Sequence, residues 1–183
     1  MKESEYKIDL SDEAEEKYDK IAELIDLGDF EEAEGFLDDF MEEHEHFVPA
    51  LNKLAVINIY KNNLDRAEDI LRDILEKDSE YAPAVTNLGS LVKEKGNKER
   101  AKKLYQKALE IDEEYGPAYN NLGVIFREEG NYSKSIKYLK KARKKGSMAY
   151  TASTDKPFYK EPGCIFMFVL AAAVIYMIYL ILF

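Results

Sequence analysis

Apolar residues recur at intervals of three and four along most of this chain. Between residues 82 and 115 one set is Val85, Leu88, Leu91 and Val92, and a second is Ala101, Leu104, Tyr105, Ala108 and Ile111, with Gly96 and Asn97 between them. That spacing places each set on one face of a helix and the Gly-Asn pair in a turn, so the segment predicts two amphipathic helices in a hairpin. The phrase is written four times. "GDFEEAEGFL", "NNLDRAEDIL", "GNKERAKKLY" and "GNYSKSIKYL" share one layout, and their small residues Ala33, Ala67, Ala101 and Ser135 lie 34 residues apart. Gly28, Asn62, Gly96 and Gly130 keep the same interval in the turn, as do Pro49, Pro83 and Pro117. Each proline falls just inside the start of a first helix, where its fixed φ helps and its missing N–H costs nothing. Asp29 with Glu32 has the spacing of a capping box for a second helix. A hairpin this short cannot bury both apolar stripes alone, so each must stack on the next.

The pattern changes at the C-terminal end. "IFMFVLAAAVIYMIYLILF", Ile165 to Phe183, holds no charge, amide or proline. A helix of that length spans about 30 Å, the thickness of a bilayer's hydrocarbon, and one that is apolar all round has no face for water. The N-terminal "MKESEYKIDLSDEAEEK" is too charged to be a signal peptide, so residues 164–183 are expected to form a transmembrane tail anchor. Basic flanks stay cytoplasmic, which predicts a single-pass membrane protein with its N-terminal domain in the cytosol. Cys164 is the one cysteine in the chain, so an intramolecular disulfide is impossible and a reducing compartment fits. It reads as a small apolar residue opening the helix, with acylation as the alternative.

Charge sharpens the picture. Residues 1–47 hold nineteen acids and four bases, whereas residues 131–164 hold nine bases and two acids. The acidic half argues against a nucleic-acid binder, which needs a positive stripe to displace counterions from phosphates. The basic run Lys134, Lys137, Lys140, Lys141, Arg143, Lys144 and Lys145 is expected to lie at an anionic cytoplasmic leaflet.

With the period of 34, "NLG" at Asn87–Gly89 and Asn121–Gly123, the glycine turns, the spaced alanines and "YQKALEID" at Tyr105–Asp112, the chain resembles the tetratricopeptide repeat family. The resemblance covers residues 14–149. It is closest in the third and fourth units, good in the second, where Ala55 stands in the glycine column, and weakest in the first, where Lys20 and Ile21 replace Leu-Gly. The expected fold is all-α: a short right-handed α-solenoid of about four 34-residue helix-turn-helix repeats plus one C-terminal transmembrane helix. Residues 1–13 form an acidic N-terminal segment, units span 14–47, 48–81, 82–115 and 116–149, and residues 150–163 form a linker.

The resemblance implies an interaction scaffold in which the first helices line a groove for a protein or peptide. The groove stripe follows i, i+3, i+7: Lys53, Val56 and Tyr60; then Asn87, Ser90 and Glu94; then Asn121, Val124 and Arg127 with Glu128. Asn87 and Asn121 occupy equivalent places, and an amide that both donates and accepts suits a peptide backbone. Ile59 and Tyr60 are apolar where later units carry Lys93, Glu94, Arg127 and Glu128, so they are candidates for a contact hot spot or for packing on the preceding unit. The clamp by which some family members hold the acidic C-terminus of heat-shock chaperones needs lysines and an arginine. Its columns here hold Asn52, Val56, Pro83, Asn87, Pro117 and Asn121, so that partner is not expected.

Catalysis has little to stand on. His44 and His46 in "EEHEH" are two alternate residues beside a charge run, which defines no metal geometry. No nucleophile–base pair, phosphate loop or Cys-x-x-Cys motif is present, so neither enzyme activity, cofactor, metal nor small-molecule substrate is expected. Two functions remain: a membrane-tethered adaptor, or a structural or assembly subunit of a membrane complex whose tail packs on other helices. The single cluster Ala171–Ala173, flanked by bulky residues, favours a plain anchor, since packing tails carry small residues four apart.

Overall fold

The computed structural model describes residues 10–146. Within them the chain forms eight helices: α1 Asp12–Leu27, α2 Phe30–Glu43, α3 Val48–Tyr60, α4 Leu64–Lys77, α5 Ala82–Glu94, α6 Lys98–Ile111, α7 Gly116–Glu128 and α8 Tyr132–Lys144. Each packs on its neighbours in sequence, and the first helices of successive units also pack on one another, α1 on α3, α3 on α5 and α5 on α7. The result is an all-α helical repeat solenoid. The tail anchor at 164–183, Cys164 and the linker at 150–163 lie outside the described residues, as does most of the acidic segment at 1–13. Among the described residues no helix is long and apolar enough to cross a membrane.

The turns follow from the sequence directly. Gly28, Asn62, Gly96 and Gly130 take positive φ of 85°, 62°, 87° and 76°. That left-handed residue lets the chain reverse while the carbonyls at the helix end stay bonded: Gly96 N–H donates to Lys93 O at 2.8 Å and Asn97 N–H to Val92 O at 3.0 Å. Asn62 holds the same conformation because asparagine tolerates it best among residues with a side chain. Pro49, Pro83 and Pro117 sit in the first turn of α3, α5 and α7. The N-terminal ends differ from expectation at one place. Asn97 and Asn131 accept N–H bonds from Arg100 and Lys134 at 3.0 and 3.2 Å, and Ser11 from Ala14 at 3.3 Å. Asp29 makes no such bond with its side chain, so the capping box is absent; its backbone carbonyl takes the Ala33 N–H instead, as in every unit.

Val85, Leu91, Val92, Ala101, Tyr105 and Ala108 are buried, with Leu88, Leu104 and Ile111 half-buried beside them. Gly89 is required by close approach: a Cβ there would stand 2.6 Å from Tyr105 Cε1. The first unit also closes as a hairpin. Ile21 fills the place of the missing Leu-Gly, and Tyr18, Leu24 and Ile25 pack with Leu37, Phe40 and the α3 residues Leu54 and Ile57. Tyr18 meets Phe47 edge to face at 5.3 Å.

A column of charge joins the units. Glu34 Oε2 lies 2.6 Å from Lys61 Nζ, Glu68 Oε2 lies 2.6 Å from Lys95 Nζ, and Lys102 Nζ lies 2.7 Å from Glu129 Oε1. Each pair ties a second helix to the residue that closes the next first helix.

Candidate partner-binding groove

First helices packed side by side leave a groove along their shared face. Its lining comes from α1, α3, α5 and α7 with the residues leading into α7: Ile25, Asp26, Asn52, Lys53, Val56, Ile59, Tyr60, Thr86, Asn87, Ser90, Tyr115, Pro117 and Asn121. It encloses about 250 Å³, room for one or two side chains of a partner. Seven of the eleven residues read from the sequence meet here: Lys53, Val56, Ile59, Tyr60, Asn87, Ser90 and Asn121.

The polar groups of the groove are bonded to one another across units. Asn87 Nδ2 donates to Asn52 Oδ1 at 2.8 Å, and Asn121 Nδ2 donates to Ser90 Oγ at 3.3 Å. Ser90 Oγ in turn donates to Thr86 O at 3.3 Å and lies 3.2 Å from the Tyr105 hydroxyl. Burial pushes the Tyr105 hydroxyl pKa up to about 12, against the opposing effect of the Ser90 bond. Asn87 and Asn121 are therefore not open amides. One N–H of each holds the units in register, and the second N–H and the side-chain carbonyl oxygen are what each offers a partner. Thr86 Oγ1 is buried in the same lining without a hydrogen-bond partner.

The expected site residues differ in how far they face the groove. Ile59 lines the groove but is only 8% exposed and belongs to the main apolar cluster, which fits the packing reading of this residue. Ser90 and Val124 are 6% exposed, because the column they share turns toward the seam with each unit's second helix. Tyr60 stacks on Phe30 at 4.6 Å with rings 20° apart, which makes it the joint with the preceding unit while half of it still faces the groove. Glu94 and Arg127 are exposed outside the lining. Glu128 is engaged, its carboxylate 3.0 Å from Lys93 and 2.6 Å from Lys98. Burial pushes its pKa up, but the hydrogen bonds from Lys98 and Lys93 outweigh it and hold the carboxyl below its ordinary range.

The basic helix is likewise divided. Lys134 lies over the Phe126 ring at 5.2 Å, Lys141 over Tyr119 at 5.0 Å, and Lys145 pairs with Glu114, so these three are turned toward α7 and its leading turn. Lys137, Lys140 and Lys144 point outward, and Arg143 shares a side with Tyr132 and Ile136 at spacings of four and seven. The seven bases do not make one patch. His44 packs its ring on Phe40 at 4.6 Å, and among the described residues no group of three or more His, Cys, Asp or Glu is placed to hold a metal.

Ile25, Asp26, Thr86 and Tyr115 were not legible as groove residues. Ile25 and Asp26 come from the unit with the weakest repeat signal. Thr86 belongs to the column Asn52, Thr86, Asn120, whose polar run beside the Lys53, Asn87, Asn121 column is the signal that marks it.

Three family models described as tetratricopeptide repeat match residues 24–91, 82–115 and 104–137. No curated protein matches the chain. Among solved structures it is similar to a thermophilic TPR protein of Thermus thermophilus, with 18% identity over 70% of this chain and 72% of that one and a TM-score of 0.60. It is also similar to pilF of Pseudomonas aeruginosa, with 22% identity over 73% of this chain and 62% of that one and a TM-score of 0.56. A third, MamA, shares 24% identity over 73% of this chain and 78% of that one, with a TM-score of 0.51.

Proposed function

The chain carries tetratricopeptide repeats across residues 24–137, and on that footing we propose that it is an interaction adaptor tethered to a membrane, taking a peptide or partner protein in the groove along its first helices. The observation that carries the reading is the groove itself: residues from all four units converge on one recess with an apolar floor and amide groups at its edge. Val56 offers contact to an apolar side chain, Asn87 and Asn121 offer amide groups to a partner's backbone, and Asp26 and Lys53 supply opposite charges. A partner segment lying across α3, α5 and α7 buries one side chain beside Tyr60 and bonds its backbone to the two asparagines.

The membrane part of the proposal rests on sequence. Ile165–Phe183 has the length and composition of a span, and the basic residues ahead of it are the support for a cytosolic side for the repeats.

The test is a partner captured by the full chain and titrated against Tyr60→Ala and Asn121→Ala. Losing an aromatic anchor costs about 2 kcal/mol or more, and losing a buried ligand bond about 1–3 kcal/mol. Unchanged affinity in both variants, with helicity intact, moves the binding surface away from the groove and sinks the reading.

A further inference from the structure

We propose that copies of this chain stack head to tail, α8 of one copy seated on the first hairpin of the next in the register that joins unit to unit inside the chain. Each internal junction has the same two contacts. The first is the ion pair of Glu34, Glu68 or Lys102 with the residue closing the next first helix. The second is apolar. Met41 shares a cluster with Phe47 and Ala50, Leu75 with Tyr81 and Ala84, and Leu109 with Tyr115 and Ala118.

Both columns continue to the ends of the solenoid, and there their character changes. Thirty-four residues before Lys61 lies Leu27, 66% exposed, and 34 after Lys102 lies Ile136, 55% exposed. In the second column, 34 after Leu109 lies Arg143, and 34 before Phe47 and Ala50 lie Glu13 and Glu16, all exposed. A second copy at the place of a next unit sets Ile136 against Leu27 and Arg143 between Glu13 and Glu16. Where the inside is charged the ends are apolar, where the inside is apolar the ends are oppositely charged, and in both columns the two ends match. The large apolar side chains exposed among the described residues are Leu27, Phe36, Tyr132 and Ile136, all in the first or last unit.

The repeat phrase does not recur in the sequence after the fourth unit: the 34-residue step from Gly123 lands on Pro157 where the phrase has glycine or alanine. Nor does either end suit itself in this column: two first hairpins oppose Glu16 and Glu13, the latter shared with Lys17 at 3.2 Å, to the same acids, and two last helices oppose Arg143 to itself. The contact joins unlike surfaces, so it propagates instead of closing a two-fold dimer.

The experiment uses the full chain in detergent on a Cys164→Ser background, carrying Leu27→Cys, Ile136→Cys or both, with a short thiol cross-linker. The expected result is a cross-linked dimer when the two single variants are mixed, none from either alone, and a ladder from the double variant. Adding Arg143→Glu removes the mixed dimer when placed in the Ile136→Cys partner, and Glu13→Lys with Glu16→Lys in the Leu27→Cys partner restores it. Absence of the mixed dimer overturns the proposal. So does cross-linking of Ile136→Cys with itself at equal yield, which means a symmetric or tail-driven association. A ladder indifferent to Arg143→Glu overturns it as well, and so does an Ile136→Cys label quenched by lipid-borne quencher in vesicles without cross-linking, which puts that face on a bilayer.

Discussion

Lys102 and Glu129 form the same junction contact as Glu68 and Lys95, with both signs reversed. The reversal sets the junction of the third and fourth units apart from the two before it. Were the last unit docked on the second, Glu68 would face Glu129, and were the third unit docked on itself, Lys102 would face Lys95, each a repulsion in place of an attraction. Lys102 and Lys95 are both raised above the ordinary lysine range by hydrogen bonds, first of all to Glu129 and to Glu68.

Reversing one member should therefore cost stability, and reversing both should return it. Lys102→Glu is expected to lose about 1 kcal/mol in urea unfolding, the upper range for a partly exposed pair. Lys102→Glu with Glu129→Lys should recover most of that loss. A double variant no more stable than the single one removes the pairing as its cause.

Gly89→Ala tests the closest approach in the third unit. The added methyl meets a Tyr105 ring whose hydroxyl is bonded to Ser90, so the ring has little freedom to yield. Overpacking of this kind costs about 1–3 kcal/mol. Ala55 occupies the equivalent place in the second unit, where the methyl is accommodated, so Ala55→Gly is expected to cost about 1 kcal/mol of helix propensity and to relieve no crowding. Denaturant midpoints for the two variants decide the matter.

The buried Tyr105 hydroxyl gives the fold an alkaline limit. Its pKa is pushed up to about 12 in the folded state, so the unfolded chain releases this proton first. The stability it carries is intact below pH 10 and is lost as pH rises toward 12. About 2–3 kcal/mol disappears across that window. Tyr105→Phe should be less stable near neutrality, having lost the Ser90 bond, yet its stability should fall less steeply in alkali. Parallel alkaline limbs for the two proteins would mean that other groups set the limit.

On α8 the outward bases are the ones expected at a lipid surface. Lys137→Ala, Lys140→Ala and Lys144→Ala together should weaken adsorption of a chain lacking Ile165–Phe183 to anionic vesicles at low salt, each base contributing on the order of 1 kcal/mol. Lys134→Ala and Lys141→Ala, whose ammonium groups lie over α7 rings, should matter less there and more to thermal stability. The same truncated chain should stay soluble and helical by circular dichroism, because the described helices bury their apolar stripes against one another. Equal binding to neutral and anionic vesicles leaves these bases a topological role only.

The fold was legible because three kinds of residue repeat at one interval for separate reasons: turn residues for a backbone angle, prolines for a helix start, alanines for close packing. The groove was legible in part. A stripe read at i, i+3, i+7 gives the side of an isolated helix, but it carries no information on how far that helix leans on its neighbours. The lean turns Ser90 and Val124 inward and draws Ile59 into the core. The junction pairs were present in the sequence as charges 27 residues apart in fixed columns, and no single unit reveals them. The same holds for α8, whose seven bases are a run on paper and three differently occupied sides in space.

The first hairpin has an apolar cluster of its own, built from α1 and α2 with Ala50, Leu54 and Ile57 of α3, while the main cluster runs through the later units. In a solenoid, stability is a sum of local terms, and a terminal unit joined to the main cluster only through α3 and Ile70 opens at a free energy below the global one. Ile25 and Asp26 stand on that unit, and the remaining lining stands on units two to four. One wall of the groove thus belongs to a different cooperative element from the rest. Hydrogen exchange should show α1 amides losing protection before those of α5, and a partner bound in the groove should slow that exchange selectively, since it can remain in place only while the first hairpin is closed.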